Sequence, residues 1–153
     1  MIYADSSFTA SFYAPDANSR RAMEIYQSDR RRPILMTAWQ ELELVNTLRL
    51  LAHRAKKSRA TARASIGNCR KAIASDFSRG VLRRAEAHWP LCLRRASELS
   101  ERFSEENGFV MLDIWHVALA IELSAETFWT FDRDQEKLAH LCGKFDAVVG
   151  LDD

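Results

Sequence analysis

Hydrophobic positions in this chain form two patterns, which are short uninterrupted runs and longer stretches with helical spacing. The runs at 2–4, 34–36, 127–131 and 147–149 are each only a few residues long. Three of them consist largely of β-branched or aromatic residues. Short apolar runs of this kind predict buried strands.

Between these runs, hydrophobic residues recur with the period of a helix, next to residues that commonly cap helices. The first predicted helix contains Phe8, Phe12 and Tyr13 and ends before Pro15, and the second begins at a cap at Asp16, has Ala22, Met23 and Tyr26 on one face and ends in the charged stretch 29–32. A third begins at a cap at Thr37 and has Leu42, Val45, Leu48 and Leu51 on one stripe. Further helices are predicted over 58–78 with Ser58 as the cap, over 89–106, over much of 109–125, and from the strand at 127–131 to Cys142. Residues 80–87 are predicted to be a basic connection.

The stretch 109–125 is apolar nearly all round, so its helix is expected to be buried centrally. Short strands that alternate with helices predict parallel pairing between helical layers. The expected fold is therefore a three-layer α/β/α domain with a central parallel sheet of four or five strands. Nothing in the composition divides the chain, so a single domain over 1–153 is predicted.

Acidic residues follow the first strand and the strand at 127–131. Ligands of open parallel sheets bind beyond the carboxyl ends of the strands, where Asp5 and Asp132 are expected. Asp113, near the start of the buried helix, and Glu43, on the helix after the second strand, are candidates for the same cleft.

Converging carboxylates repel one another unless a cation neutralises them. Oxygen ligands select hard ions such as Mg²⁺ or Mn²⁺. The three cysteines are widely spaced and offer no clip for zinc. Such ions activate water and stabilise a leaving oxygen in phosphoryl chemistry.

Each acid also has a purely structural interpretation. Asp5, Asp113 and Asp132 are each placed to cap a helix, and Glu43 is suited to an exposed helix face. His116, one turn after Asp113, is placed to act as a general base, but a hydrogen-bonded core histidine is the more common outcome.

Charge is distributed unevenly along the chain, although the net charge is only +1. Residues 49–95 contain 13 of the 22 basic residues and two of the 21 acidic ones. A basic segment beside an acidic site is typical of a protein that binds nucleic acid. With no apolar run long enough to cross a membrane and no signal-peptide pattern, we expect a soluble, cytoplasmic protein.

Several segments resemble, in order and spacing, the PIN-domain ribonucleases of the VapC toxin type. They are "MIYADSSF" at the start, "ELELVNTLRL" at 41–50, "LDIWHVALAIELSAETFWTFDRDQEKLA" at 112–139 and the closing "AVV". The resemblance covers essentially the whole chain. Two features depart from it: Trp115 replaces a smaller aliphatic residue, and 55–95 matches no motif of the family.

The resemblance implies an acidic quartet of Asp5, Glu43, Asp113 and Asp132, with Glu43 preferred to Glu41 because Asn46 follows it in an "ELxN" pattern. These side chains would hold one or two Mg²⁺ or Mn²⁺ ions for cleavage of RNA. It also implies a small cognate antitoxin protein as partner and a homodimer.

The sequence thus predicts a metal-dependent endoribonuclease that acts as the toxin of a toxin-antitoxin pair. Asp5, Asp113 and Asp132 would be the principal ligands, and Glu43 either a ligand or the group that orients water. The alternatives are a catalytically inactive PIN-like module that binds nucleic acid or protein, and a metal-dependent phosphatase or receiver-like protein. The second is disfavoured because the first strand lacks a paired "DxD".

Overall fold

The computed structural model describes residues 1–29, 32–56 and 58–150. It contains two compact units. One comprises Met1–Asp5 and the chain from Ala85 onwards, and the other comprises Ser6–Arg84. Arg30 and Arg31 of the predicted helix end, and Lys57 of the basic segment, lie outside the described residues.

The first unit is built on three parallel strands, β1 (Ile2–Ala4), β4 (Thr127–Trp129) and β5 (Ala147–Val149). Tyr3 is opposite Phe128, which is opposite Val148. Its helices are α5 (Trp89–Asn107), α6 (Met111–Glu122) and α7 (Arg133–Cys142).

Burial in this unit follows from the apolar runs. All three residues of β1 and of β4 are buried, and most of α6 is buried as well. The Tyr3 and Phe128 rings stack with centroids 5.5 Å apart, which adds an aromatic contact to the strand pairing. The predicted central helix is therefore confirmed.

The second unit contains β2 (Ile34–Met36), which pairs in parallel with β3 (Leu82–Arg84). Its helices are α1 (Ser6–Tyr13), α2 (Ser19–Ser28), α3 (Ala38–Arg54) and α4 (Arg59–Arg79). Thr37 caps α3 through a capping box with Gln40, as its position predicts. Ser58 caps α4 by accepting a hydrogen bond from the Thr61 amide over 3.2 Å.

The predicted α/β class, with parallel strand pairs, is confirmed, and the described part of the chain contains five strands. Residues 80–87, predicted to be a basic connection, contain the strand β3, which leaves no apolar run because only Leu82 in it is buried while Arg83 and Arg84 are exposed. Met23 and Leu42 are exposed although both were assigned to apolar faces. The single domain stays a prediction.

Two boundaries also differ from the predictions. Asn18, and not Asp16, precedes α2, and the Asp16 carboxylate accepts a hydrogen bond from the Asn18 amide over 2.8 Å in the preceding turn. β4 ends at Trp129, two residues earlier than predicted, so Thr130 and Phe131 form the link to Asp132. In the described ranges, no helix is both long and apolar enough to span a membrane.

Candidate active site

The pairing of β1 with β4 fixes the position of Asp5. Ala4 is opposite Trp129, and the Asp5 amide continues the ladder by donating to the Trp129 carbonyl over 3.0 Å. Asp5 is fully buried. Its Oδ2 accepts a hydrogen bond from the Thr130 hydroxyl over 2.7 Å. Strand pairing thus places a buried carboxylate beside the end of β4.

Asp132 lies at the other end of the same hydrogen-bonded link. Its backbone amide donates to Thr130 Oγ1 over 2.9 Å, so one hydroxyl connects Asp5 with Asp132. Asp132 Oδ1 accepts from the amides of Asp134 at 2.9 Å and Gln135 at 3.1 Å, which caps α7. The structural interpretation of Asp132 is therefore correct, but capping uses only one of its two carboxylate oxygens.

Asp113 lies in the first turn of α6 and is 7% exposed. Burial raises the pKa of its carboxyl, and repulsion from the Asp132 and Asp134 carboxylates raises it further. The Val110 amide, which donates to Asp113 Oδ2 over 3.3 Å, acts in the opposite direction. Asp113 and Asp132 therefore interact electrostatically at a cost in free energy when both are ionised.

Three of the four predicted acids thus lie in one unit: Asp5 directly follows β1, Asp113 lies on α6, and Asp132 directly precedes α7. Glu43 lies on α3 of the other unit, where it is half-buried. Its neighbour Glu41 forms an ion pair with Arg84 over 3.0 Å. The membership of Glu43 in the quartet stays a prediction.

The chemistry of the three aspartates fits a hard divalent cation, because all their donor atoms are carboxylate oxygens. In their present positions, no group of three or more His, Cys, Asp or Glu among the described residues is arranged to hold a metal ion. A buried acceptor, Gln135 Oε1, nevertheless has no hydrogen-bond partner in the described part of the chain. A site of this chemistry requires a positive charge and an additional hydrogen-bond donor.

Gln135 was not predicted as a functional residue. It is 5% exposed and shares the buried face of α7 with Leu138 and Ala139. Its spacing of three and four from these apolar residues is the signal that identifies a polar side chain on a core-facing stripe. In the sequence, Gln135 belongs to the segment 112–139 that resembles the PIN-domain ribonucleases, and this spacing marks it independently of that resemblance.

His116 is a core residue. It is 1% exposed, and its Nδ1 lies 2.8 Å from the Tyr3 hydroxyl. The two rings meet edge to face with centroids 6.0 Å apart. This arrangement favours the core interpretation of His116 over a role as general base.

Basic side chains of the segment 49–95 are mostly exposed. On α4 only Ile73 and Asp76 are buried, so the arginines and lysine of this helix are accessible to solvent.

Trp115 stacks in parallel on Trp89, with ring centroids 6.2 Å apart, so this departure from the family pattern is accommodated by an aromatic pair.

The fold is similar to those of several solved proteins at low sequence identity. The VapC20 toxin of Mycobacterium tuberculosis, described as cleaving the sarcin-ricin loop, is 21% identical with a TM-score of 0.58, and the match covers 90% of this chain and 94% of that one. VapBC2 from Rickettsia felis, solved bound to a DNA fragment from its promoter, is 14% identical with a TM-score of 0.57, covering 99% and 100%. PAE2754 from Pyrobaculum aerophilum is 15% identical with a TM-score of 0.53, covering 97% and 87%.

A comparison with curated protein sequences found no match. The PIN domain family model, in contrast, matches residues 2–141. This match includes β1, α6, β4 and the whole Asp5, Asp113 and Asp132 arrangement. The chain therefore belongs to the PIN domain family.

Proposed function

We propose that this protein is a metal-dependent endoribonuclease that hydrolyses RNA phosphodiester bonds and acts as the toxin of a toxin-antitoxin pair. The observation that carries the proposal is the single Thr130 hydroxyl that links the buried Asp5 carboxylate to Asp132, which in turn repels the buried Asp113. Family membership and the similarity to VapC toxins support it.

Asp5, Asp113 and Asp132 would hold Mg²⁺ or Mn²⁺, with Glu43 as a further ligand or as the group that orients the attacking water. The ion, when bound, supplies Lewis-acid activation of water and stabilisation of developing negative charge. Thr130 holds Asp5 Oδ2 in place, and the α7 amides fix Asp132 Oδ1. The protein thus orients two carboxylates before the substrate arrives.

RNA is the proposed substrate, and exposed arginines of 49–95 are proposed to bind its phosphates. The VapBC2 structure supports a small antitoxin protein as partner. Homodimer formation and a cytoplasmic location stay predictions.

The proposal is tested by incubating total cellular RNA with the purified protein in Mg²⁺, in Mn²⁺ and in chelator. We expect cleavage by the wild type that needs the metal and is lost in Asp5→Asn. Failure of the wild type to cleave with either ion, together with retained salt-sensitive RNA binding, would favour the inactive binding module.

A further inference from the structure

Gln135 contains a buried acceptor whose partner is missing from the described residues. The residue is 5% exposed, and its Oε1 atom is both buried and without a hydrogen-bond partner among them. Buried side-chain oxygens in folded proteins are normally hydrogen-bonded, because desolvating one without a partner is unfavourable. An exception of this kind indicates an absent partner.

Gln135 lies in the first turn of α7, three residues after Asp132. The Gln135 amide donates to Asp132 Oδ1 over 3.1 Å, so the root of the side chain is held against the Asp132 carboxylate. Asp113 is the second carboxylate of this site and interacts electrostatically with Asp132. Gln135, Asp132 and Asp113 therefore form one polar cluster.

The neighbouring groups of this cluster do not supply what Gln135 Oε1 requires. Ionised carboxylates accept hydrogen bonds and do not donate them. The Asp134 and Gln135 amides already donate to Asp132 Oδ1. The missing group must donate a hydrogen bond, while the two aspartates require a positive charge. A hydrated divalent cation satisfies both, since Mg²⁺ in proteins retains several waters whose O–H groups are donors.

We propose that Gln135 is a positioning residue of the acidic site, whose side-chain carbonyl accepts a hydrogen bond from the water shell of a divalent cation bound by Asp113 and Asp132. This inference rests on the proposed function, because it takes the acidic site to be the place where the cation binds. It assigns a role to a residue outside the predicted acidic quartet. Gln135 thus tunes cation affinity without being a direct ligand.

Gln135→Met tests this role, because methionine matches the length of glutamine and lacks the acceptor. Mn²⁺ binding is measured by calorimetry, and the melting temperature is measured in chelator. We expect the dissociation constant for Mn²⁺ to rise about tenfold or more, as is typical when a residue that supports a metal ligand is replaced. The metal-free protein is expected to melt at the same or a higher temperature, since an unsatisfied buried group is removed. Gln135→Glu keeps an acceptor and is expected to restore the affinity.

Ser104→Ala is the matched control. Ser104 Oγ on α5 is the other buried side-chain oxygen in this unit that has no partner among the described residues. Its removal is expected to leave Mn²⁺ affinity unchanged. A second measurement needs no variant: the side-chain amide resonance of Gln135 is expected to shift when Mg²⁺ is added to the wild type.

The outcomes separate this inference from the proposed function. If the wild type binds Mn²⁺ and the dissociation constant of Gln135→Met is within twofold of the wild-type value, the role of Gln135 alone is overturned. An unshifted Gln135 amide in a wild type that binds Mg²⁺ would do the same. A wild type that binds neither ion would overturn the proposed metal-dependent nuclease and this inference together.

Discussion

The Thr130 hydroxyl donates to Asp5 Oδ2 over 2.7 Å and accepts from the Asp132 amide over 2.9 Å. Thr130 and Asp5 are both fully buried. A single hydroxyl therefore links a carboxylate at the end of β1 to the residue that begins α7. The alignment of the two acids depends on this link.

Thr130→Val is expected to destabilise the protein, because it keeps the shape of the side chain and removes the hydroxyl. Loss of a donor to a buried carboxylate costs about 1–3 kcal/mol in the free energy of unfolding. Thr130→Ser keeps the hydroxyl and is the control. Urea unfolding and RNA cleavage should both separate the two variants, and equal loss in Val and Ser would argue against the hydrogen-bonded link.

Asp113 makes the stability of the metal-free protein depend on pH. Burial and Asp132 raise its pKa in the folded state above the unfolded value, so the folded state binds the proton more tightly. The tighter proton binding by Asp113 contributes fully to the free energy of unfolding below the pKa of the unfolded state. This contribution is lost as the pH rises through the raised pKa of the folded state.

Asp113→Asn should therefore raise the melting temperature in chelator at pH 7, and the gain should disappear as the pH falls below the ordinary pKa of an aspartate. Mg²⁺ should stabilise the wild type more than the variant, because ligand binding to the folded state adds stability. Melting curves at several pH values test both statements. A variant that is less stable than the wild type at pH 7 in chelator would contradict them.

The exposed arginines of α4 are expected to contribute to RNA affinity through phosphate contacts. Replacing Arg59, Arg63 and Arg70 together by Gln should weaken binding and flatten its salt dependence. For single-stranded RNA, three lost contacts lower the slope of log K against log salt by about 2. Binding titrations at several salt concentrations measure this, with Arg20→Gln on α2 as a control outside the segment. An unchanged slope in the triple variant would remove the RNA role of α4.

The strand ends were the part of the site that the sequence could predict. β1 and β4 are uninterrupted apolar runs, and parallel pairing places Asp5 and the end of β4 at the same edge. The place of Asp113 near the start of a helix that is apolar all round was also readable. These inferences needed only hydrophobic periodicity and the geometry of parallel sheets.

Other features depended on tertiary contacts that periodicity does not encode. β3 contains two exposed arginines, so its pairing with β2 leaves no apolar run in the sequence. Leu42 matched a helix stripe, yet it is 66% exposed because the buried face of α3 is centred on Leu44 and Leu48. Thr130 can donate to Asp5 and accept from the Asp132 amide because it lies in the link between β4 and α7. This link exists because β4 ends at Trp129, two residues before its predicted end.

Capping and metal binding by Asp132 can be separated by choice of substitution. Asn is as good a helix cap as Asp, so Asp132→Asn should preserve α7 and remove only the negative charge. Asp132→Ala should lose the cap as well, at about 1 kcal/mol of stability. Asp134→Asn makes the same charge change at an exposed position two residues away and is the matched control.

The most direct test of the acidic site is therefore Mn²⁺-dependent RNA cleavage by Asp132→Asn beside Asp134→Asn. We expect Asp132→Asn to keep the melting temperature close to that of the wild type and to lose at least about 100-fold in cleavage rate, while Asp134→Asn stays active. Full cleavage by a folded Asp132→Asn would show that Asp132 serves only as a helix cap, and would contradict the proposed active site.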